Sequence, residues 1–452
     1  MDRIDPNLTR PDLLVLQDLF SDASKLKDQP AKVPENRTGS ASGTERAEAG
    51  HTESSRRIPS KYEHTESNGS RDDKTAVETL ASLNNPKHED FEPTIFVTWD
   101  LKDIKLPRFL NDYLLQPYIK LGRKIVRVET DVVMLTHLLL YFATSVPSAI
   151  YLYYRFNWVH GVLHWLMQSY YVGTYTLMMH QHIHMGGILS RKFSWFDTVF
   201  PYITNPLMGH TWNSYYYHHV KHHHVEGNGP DDLSSTIRYQ RDDIRDFLCY
   251  VGRFMFFIWL ELPLYFFRKS KTQLAMKAAF WELSNYFAIY LLMQVNWKPT
   301  LFVFALPLFQ LRVGLMVGNW GQHAFVDEVD PDSDFRSSIT LVDVASNRFC
   351  YNDGYHTSHH LNPLRHWREH PVAFLKQKER YSNEHALVFY NIDYIMLTIK
   401  LMQKDYAYLA KCLVPIGEQV HMSLDEIAAM LRTKTRRFTE EDIQKKFKAD
   451  IK

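Results

Sequence analysis

Two pairs of long apolar segments dominate the hydrophobic pattern of this 452-residue chain. Residues 131–154 and 158–179 each have the length of about 20 residues that a helix needs to cross a bilayer. The short link 155–157 between them predicts a helical hairpin. Residues 276–295 and 299–318, joined through the letters NWKP, predict a second hairpin.

A further apolar stretch, 247–268, is predicted to lie at the membrane interface because it carries Arg253 and Glu261. If it crossed as well, the residues after 318 would lie on the opposite side of the membrane from the histidine-rich loop 218–224. Basic residues flank the first hairpin, and the positive-inside rule places those flanks in the cytosol. The chain is therefore predicted to be an all-α integral membrane protein with about four spans, capped by a cytosolic helical domain. The flanking residues are Lys120, Arg123, Lys124, Arg127, Arg191 and Lys192.

The rest of the chain is predicted to be organised around this membrane domain, which we place at 131–370. Residues 1–92 are polar and lack periodicity, which predicts disorder, although residues 12–23 have the pattern of a short amphipathic helix. Residues 93–130 form a segment that precedes the membrane, and residues 371–452 form a charged, cytosolic helical region.

Composition excludes several classes of function. The formal net charge is +1, and no basic block indicates a nucleic-acid partner. The three cysteines lie far apart, which argues against a disulfide framework or a cysteine-based zinc site. Aromatic residues reach 14%, and such rings collect at membrane interfaces and in apolar tunnels.

Four histidine clusters share one helical spacing. In each cluster the side chains recur at i and i+4, or at i, i+3 and i+4, which places them on one face of a helix and within reach of a common ion. The clusters are His180 and His184 in HQHIH, His219, His222 and His223 in HVKHH, Asn319 and His323 in NWGQH, and His356, His359 and His360 in HTSHH.

The predicted topology brings all four clusters to the cytosolic face. Nine histidines exceed the capacity of one ion, so two metals are predicted, and a ligand set without cysteine argues against structural zinc. His182 and His224 are predicted to point away from the site, and His218 is ambiguous. His160 and His164, inside the second span, are predicted to form hydrogen bonds rather than to bind metal.

With these motifs the chain resembles the membrane fatty acid desaturase superfamily over roughly residues 130–370. HQHIH, HVKHH and HTSHH are similar to its histidine boxes, and NWGQH is similar to the Asn-x-x-x-His element of the acyl-CoA desaturases. The resemblance implies a non-haem di-iron centre, O2 as co-substrate, and electrons from an external cytochrome b5 or ferredoxin-type donor. It implies that all nine histidines of the four clusters bind iron and that Asn319 binds through a water.

The resemblance implies desaturation of a long-chain acyl lipid or thioester, by an enzyme of the endoplasmic reticulum membrane whose active site faces the cytosol. A fatty acyl or alkane hydroxylase, or an acetylenase, would use the same centre, and the sequence does not separate these outcomes. A non-catalytic membrane metal-binding protein would place polar ligands within the spans, whereas these ligands lie at the cytosolic ends. The side chains Asp231, Asp232, Asp327 and Asp353 lie close enough in sequence to orient the rings.

Overall fold

The computed structural model describes residues 8–27, 71–97, 99–342, 347 and 349–447. The helices are α1 (Arg10–Lys27), α2 (Arg71–Asn84), α3 (Arg108–Leu110), α4 (Gln116–Ile125), α5 (Val132–Tyr154), α6 (Trp158–Met185), α7 (Ser194–Leu207), α8 (Ser214–His218), α9 (His224–Glu226), α10 (Ile244–Arg268), α11 (Thr272–Thr300), α12 (Leu306–Gln322), α13 (Asp334–Ser337), α14 (His356–Leu361), α15 (Glu369–Lys376), α16 (Lys378–Asn383), α17 (Tyr394–Met402), α18 (Tyr406–Cys412), α19 (Leu424–Thr433) and α20 (Glu440–Lys446). Short 3-10 turns lie at Leu101–Asp103, Arg191–Phe193 and Gly417–His421, and π-helical turns lie at Asn111–Leu115, His219–His223 and Leu301–Ala305.

The fold is mostly helical, as predicted, with one small sheet among the described residues. Strands β1 (Ile339–Leu341) and β2 (Leu387–Phe389) are three residues each and pair in parallel, with Ile339 opposite Leu387. All their side chains are buried, so the pair forms part of the core between α14 and the C-terminal helices.

In the described part of the chain, three helices are long and apolar enough to cross a membrane: α5, α10 and the continuous segment Thr272–Gln322. The third contains two legs, because Asn296 has non-helical backbone angles and bends the chain between α11 and α12. The predicted interfacial position of 247–268 finds no support in the structure, since α10 is one of these candidates despite the Arg253–Glu261 ion pair on its surface.

Helix α6, which the sequence predicts to span, is not among the candidates. It is 28 residues long, but polar side chains occupy six of the seven positions 160, 164, 168, 172, 176, 180 and 184. They are His160, His164, Gln168, Thr176, His180 and His184. This stripe lowers the mean hydropathy of a helix that still pairs with α5.

Hydrogen bonds hold α6 against α5. Ser148 Oγ lies 2.8 Å from His160 Nε2 and 2.9 Å from His164 Nδ1, and Ser145 donates to the Gln168 side chain at 3.0 Å. The prediction that His160 and His164 form interhelical hydrogen bonds is confirmed. Because polar groups in an apolar environment need partners, this chain of bonds lets a polar stripe face another helix.

A buried ion pair joins the two legs of the second hairpin. Glu282 on α11 pairs with Arg312 on α12, and both side chains are at most 10% exposed. Thr211 donates to the same carboxylate at 2.7 Å. Buried charges of this kind persist only when each has a partner, so the pair fixes α11, α12 and the Thr211 segment relative to one another.

The predicted disorder of residues 1–92 is wrong for the parts that the structure describes. Helix α1 contains the predicted amphipathic stretch 12–23, and α2 follows at 71–84. Their apolar faces, including Val15, Leu16 and Leu80, pack into a cluster with β2 and α15. Residues 28–70 lie outside the described residues. The hydrophobic partners of these helices lie about 300 residues away along the chain, which is why local composition did not reveal them.

Ion pairs hold α1 against the C-terminal region. Lys378 on α16 pairs with both Asp18 and Asp22, and these contacts lie on the polar side of the cluster. Earlier in the chain, before α15, Arg368 donates to the Asn84 side chain at 2.8 Å and to the Glu92 carbonyl at 2.7 Å. The N-terminal segment is thus bound to the stretch that follows the last histidine cluster.

Replacing Leu16 by alanine tests this docking. Leu16 is fully buried against the α15 cluster, so we expect a loss of ~2–4 kcal/mol of stability from lost burial and the cavity left behind. Thermal unfolding in detergent should show a lowered midpoint. The exposed neighbour Gln17 supplies the control, since Gln17→Ala removes no packing. Equal midpoints for the two variants would mean that α1 does not pack on the protein in solution.

Candidate metal centre

Four separate parts of the chain deliver histidines to one buried region. His180 and His184 lie in the last two turns of α6, and His323 follows the last residue of α12. Residues 219–224 contribute from the π-helical turn and α9, and α14 contributes its first, fourth and fifth residues. The imidazoles form two groups of metal-ligand geometry, and within each group one nitrogen per ring lies within 4.8 Å of all the others. The first holds His180, His184, His219, His224 and His359, and the second holds His223, His323, His356 and His360.

In the five-histidine group the Nε2 atoms converge. His180 Nε2 lies 2.8 Å from that of His219 and 3.0 Å from that of His359, and His224 Nε2 lies 2.8 Å from that of His359. His184 Nε2 is buried and has no hydrogen-bond partner among the described residues. These separations fit a shared cation, because nitrogens on adjacent ~2.1 Å bonds to one metal are about 3 Å apart.

The four-histidine group is held in the same way. His356 Nε2 lies 3.1 Å from the Nε2 atoms of both His323 and His360. The His223 ring packs edge-on against His360, with ring centroids 5.3 Å apart. His219 and His223 stack at 5.5 Å, so the two groups stand side by side, linked by neighbouring residues of one helical turn.

The register of the second cluster differs from the prediction. The stretch His219–His223 is π-helical, with wider turns than an α-helix, so positions i, i+4 and i+5 come to one side. His224 therefore joins the five-histidine group, although the sequence predicted that it points away. His222 lies in neither group: its Nε2 accepts from the Leu233 backbone N–H at 3.1 Å and lies 3.2 Å from the Asp231 carbonyl.

The other predicted positions divide as follows. His182 points away, as predicted, with Nε2 3.1 Å from the Asp197 carbonyl. His218 lies in neither group, and its ring packs on Phe254 of α10. The Asn319 amide donates to the Ser234 carbonyl at 2.8 Å and to the Tyr250 hydroxyl at 2.7 Å. The amide nitrogen of Asn319 thus donates to Ser234 and Tyr250. A role of Asn319 at the metal stays a prediction.

Hydrogen-bond acceptors lie near the Nδ1 atoms of several of these histidines, on the side of each ring away from the converging Nε2 atoms. Asp232 lies 2.8 Å from His223 Nδ1, and the Ser337 carbonyl lies 2.7 Å from His323 Nδ1. An acceptor that receives a hydrogen bond from Nδ1 keeps the proton on that nitrogen and leaves the Nε2 lone pair free for a metal. Asp353 approaches His180 Nδ1 at 3.8 Å, and Asp334 approaches His360 Nδ1 at 3.5 Å.

Two of the four predicted orienting aspartates are in place. Asp232 and Asp353 face the rings, whereas Asp327 pairs with Lys434 and Asp231 pairs with Lys269 instead. Asp334 and the Ser337 carbonyl were missed, because they lie in a segment without histidines that folds back over α14. No sequence signal marks a backbone carbonyl as an acceptor for a ring that is 14 residues away in the chain.

Burial sets the protonation of the site. It lowers the pKa of His219, His224, His323, His356 and His359 well below the usual range, and the proximity of other histidines lowers each further. These rings are thus neutral and can offer lone pairs. Burial also raises the pKa of Asp353 to about 7, although a hydrogen bond from Gln322 opposes that shift.

Asp232 shows the opposite balance. Burial alone would raise the pKa of its carboxyl, but the charge of His223 and hydrogen bonds from His223 and Ser234 hold it well below the usual range. The carboxylate therefore stays ionised behind the four-histidine group. A negative charge at this place favours a cation on the far side of the His223 ring.

The sequence model of the fatty acid desaturase family matches residues 156–390, just over half of the chain. That span contains all nine histidines of the two groups. No match was found among curated proteins or among solved structures.

The register of the second cluster can be tested with two single substitutions. His224→Ala should lose most of the metal bound by the five-histidine group, since it removes one of five converging nitrogens. His222→Ala should retain its metal, because His222 lies in neither group and its Nε2 is engaged by the Leu233 N–H and the Asp231 carbonyl. Metal per protein, measured by plasma mass spectrometry on each purified variant, checks this, and His421→Ala is an exposed control. Metal loss in His222→Ala alone would restore the i, i+3, i+4 register.

Proposed function

The chain belongs to the fatty acid desaturase family, and on that premise we propose that it introduces a double bond into a long-chain fatty acyl substrate at a di-iron centre. The observation that carries the proposal is the pair of adjacent histidine groups, five and four rings, with converging nitrogens. Two such groups provide for two metal ions, and imidazole is a suitable ligand for iron.

Desaturation with O2 consumes two electrons from outside the substrate. R–CH2–CH2–R′ reacts with O2, two electrons and two protons to give R–CH=CH–R′ and two waters. The electrons come from a separate donor protein of the cytochrome b5 or ferredoxin type. When bound, the two iron ions supply the oxidising chemistry with O2 that side chains cannot provide.

The side chains of the site hold and shield that centre. Asp232 and the Ser337 carbonyl fix the tautomers of His223 and His323, so that the same nitrogen of each ring always faces the metal side. His180, His356 and His359 are at most 4% exposed, which keeps bulk water away from a reactive centre. An all-histidine ligand set contains no carboxylate, so the ligands bring no negative charge to the metals.

The setting of the enzyme is part of the same proposal. We place the protein in the endoplasmic reticulum membrane, with the histidine groups on the cytosolic side and four spans in two hairpins. The basic residues around the first hairpin support this orientation. The apolar helices α5, α10 and α11–α12 support the membrane location.

The proposal is tested by expressing the chain in a host that lacks the corresponding desaturase. The purified protein should contain about two irons per chain, and the host lipids should gain acyl chains that are lighter by two hydrogens. The product should disappear without O2. His323→Ala should lose at least ~100-fold in product per protein, because it opens the four-histidine group, whereas exposed His421→Ala should match wild type. Acyl chains that gain an oxygen instead would identify a hydroxylase, and a protein that binds no iron would overturn the proposal.

A further inference from the structure

Tyr141 on α5 is fully buried, and its phenol is hydrogen-bonded to a histidine. The hydroxyl oxygen lies 2.9 Å from Nδ1 of His137, one helical turn earlier on the same helix. An imidazole that carries its proton on Nε2 accepts the phenol O–H at Nδ1, so His137 is placed as a base for this hydroxyl. Tyr141 is therefore a tyrosine whose proton has a defined acceptor.

A series of ring contacts joins Tyr141 to the five-histidine group. The Tyr141 ring contacts Tyr175 on α6 with centroids 5.4 Å apart, and Tyr175 contacts His210 at 5.7 Å. Tyr215 contacts His210 at 5.2 Å and stacks on His219 at 5.2 Å, with planes inclined by 28°. Because His219 is a member of the five-histidine group, the series runs from the phenol to a metal-binding ring.

The hydrogen-bond partner distinguishes Tyr141 from its neighbour in the series. The Tyr175 hydroxyl donates to the Asn205 side chain at 2.6 Å, and a carboxamide does not take up a proton. A phenol that loses one electron must also lose its proton, because a buried cation without a partner is costly. Of these two fully buried tyrosines, Tyr141 is thus the one that the structure equips for reversible oxidation.

The metal centre has oxidisable side chains beside it. A centre that activates O2 must exclude competing oxidation of its own protein when no substrate is bound. Met178 and Met179 directly precede His180 on α6, and both side chains are at most 3% exposed. Oxidation of such thioethers to sulfoxides places polar groups in a packed core. A side chain that gives up an electron reversibly protects these positions.

We propose that Tyr141 is a reversible one-electron donor that reduces the oxidised metal centre when no acyl chain is bound, with His137 as the acceptor of the phenolic proton. The inference rests on the proposed function for its oxidant and adds a protective reaction. In each step one electron passes from Tyr141 along the ring series to the centre, and the proton moves from the phenol oxygen to His137 Nδ1. The product is a neutral tyrosyl radical. A thiol then returns an electron to it, and His137 returns the proton.

Substrate-free turnover consumes the same number of electrons as desaturation. A bound acyl chain gives two electrons and two protons to the centre, and the electron-donor protein gives two more electrons. Without an acyl chain, two successive oxidations of Tyr141 replace the substrate, and a thiol reduces the radical after each of them. In sum, O2, two donor electrons, two protons and two thiols give two waters and one disulfide.

The test uses the iron-loaded, full-length protein, which is reduced in detergent, freed of excess reductant and mixed with O2 without an acyl substrate. Rapid freezing and electron paramagnetic resonance should detect a tyrosyl radical whose signal narrows when the protein contains ring-deuterated tyrosine. Tyr141→Phe should lower the radical yield at least ~10-fold, because it removes the O–H that is oxidised and keeps the ring. His137→Phe should lower it as well, since the phenol then lacks its base.

Tyr153→Phe is the matched control on the same helix. The Tyr153 hydroxyl also bonds a partner, Thr300, at 2.6 Å, but its ring contacts Phe304 and lies outside the series. This variant should form the radical as wild type does.

Damage to the protein supplies a second readout. After repeated substrate-free cycles with a thiol present, mass spectrometry should find about 5-fold more sulfoxide at Met178 and Met179 in Tyr141→Phe than in wild type or Tyr153→Phe. Iron per chain and the thermal midpoint of Tyr141→Phe should match wild type before cycling, which separates loss of the donor from loss of the fold. His137→Phe provides the same comparison with the Tyr141 phenol in place.

Wild-type levels of radical and sulfoxide in Tyr141→Phe would overturn the inference, and so would equal loss of the radical in Tyr153→Phe. Failure of the proposed function has a different signature. A protein that forms the Tyr141 radical with O2 but desaturates no acyl chain rejects the reaction and keeps the donor. Product without a radical rejects the donor alone, and a protein that binds no iron rejects both.

Discussion

The fold depends on holding nine imidazole nitrogens within two small volumes that face each other. Facing lone pairs repel, so nitrogens 2.8 to 3.1 Å apart must share either a proton or a cation, and the arrangement needs restraint from behind the rings. The restraint is visible in Asp232 and the Ser337 carbonyl at the outer nitrogens. These acceptors come from residues 227–242 and 323–342, which further hydrogen bonds, such as that from Thr236 to the His323 carbonyl, also hold beside the histidines.

The histidine site could be predicted from the sequence wherever the backbone is a regular α-helix. In α6 the i, i+4 spacing places His180 and His184 in one group, as expected. In α14 the i, i+4 pair His356 and His360 shares the four-histidine group, whereas His359 joins the five-histidine group. At residues 219–224 the structure departs from the predicted register, because one π-helical turn rotates the later residues and places His224, and not His222, in a histidine group. Seven residues that contain five histidines permit several registers, and only the three-dimensional partners of His222 select one of them.

The membrane part shows a similar division between local and distant information. Apolar length predicted α5 and the second hairpin, and it also identified α10, whose Arg253–Glu261 pair suggested an interfacial helix. The two charges neutralise each other along one face of α10, which reduces the cost of placing them near the membrane. In α6 the polar stripe lowers the mean hydropathy, although its side chains have hydrogen-bond partners on α5. A hydropathy profile shows neither the Arg253–Glu261 ion pair nor the hydrogen bonds between α5 and α6.

Segments that are distant in the sequence meet at His323, which follows α12 and belongs to the four-histidine group. Thr236 donates to the His323 carbonyl at 2.8 Å, and the fully buried Arg241 donates to the next carbonyl, Ala324, at 3.2 Å. The same guanidinium donates to the Lys434 carbonyl at 3.0 Å. A buried guanidinium is stable only when its donors are satisfied. Undocking of the C-terminal region would therefore leave Arg241 buried without the Lys434 carbonyl as an acceptor. The C-terminal helices are therefore part of the support for His323 and are not a separate appendage.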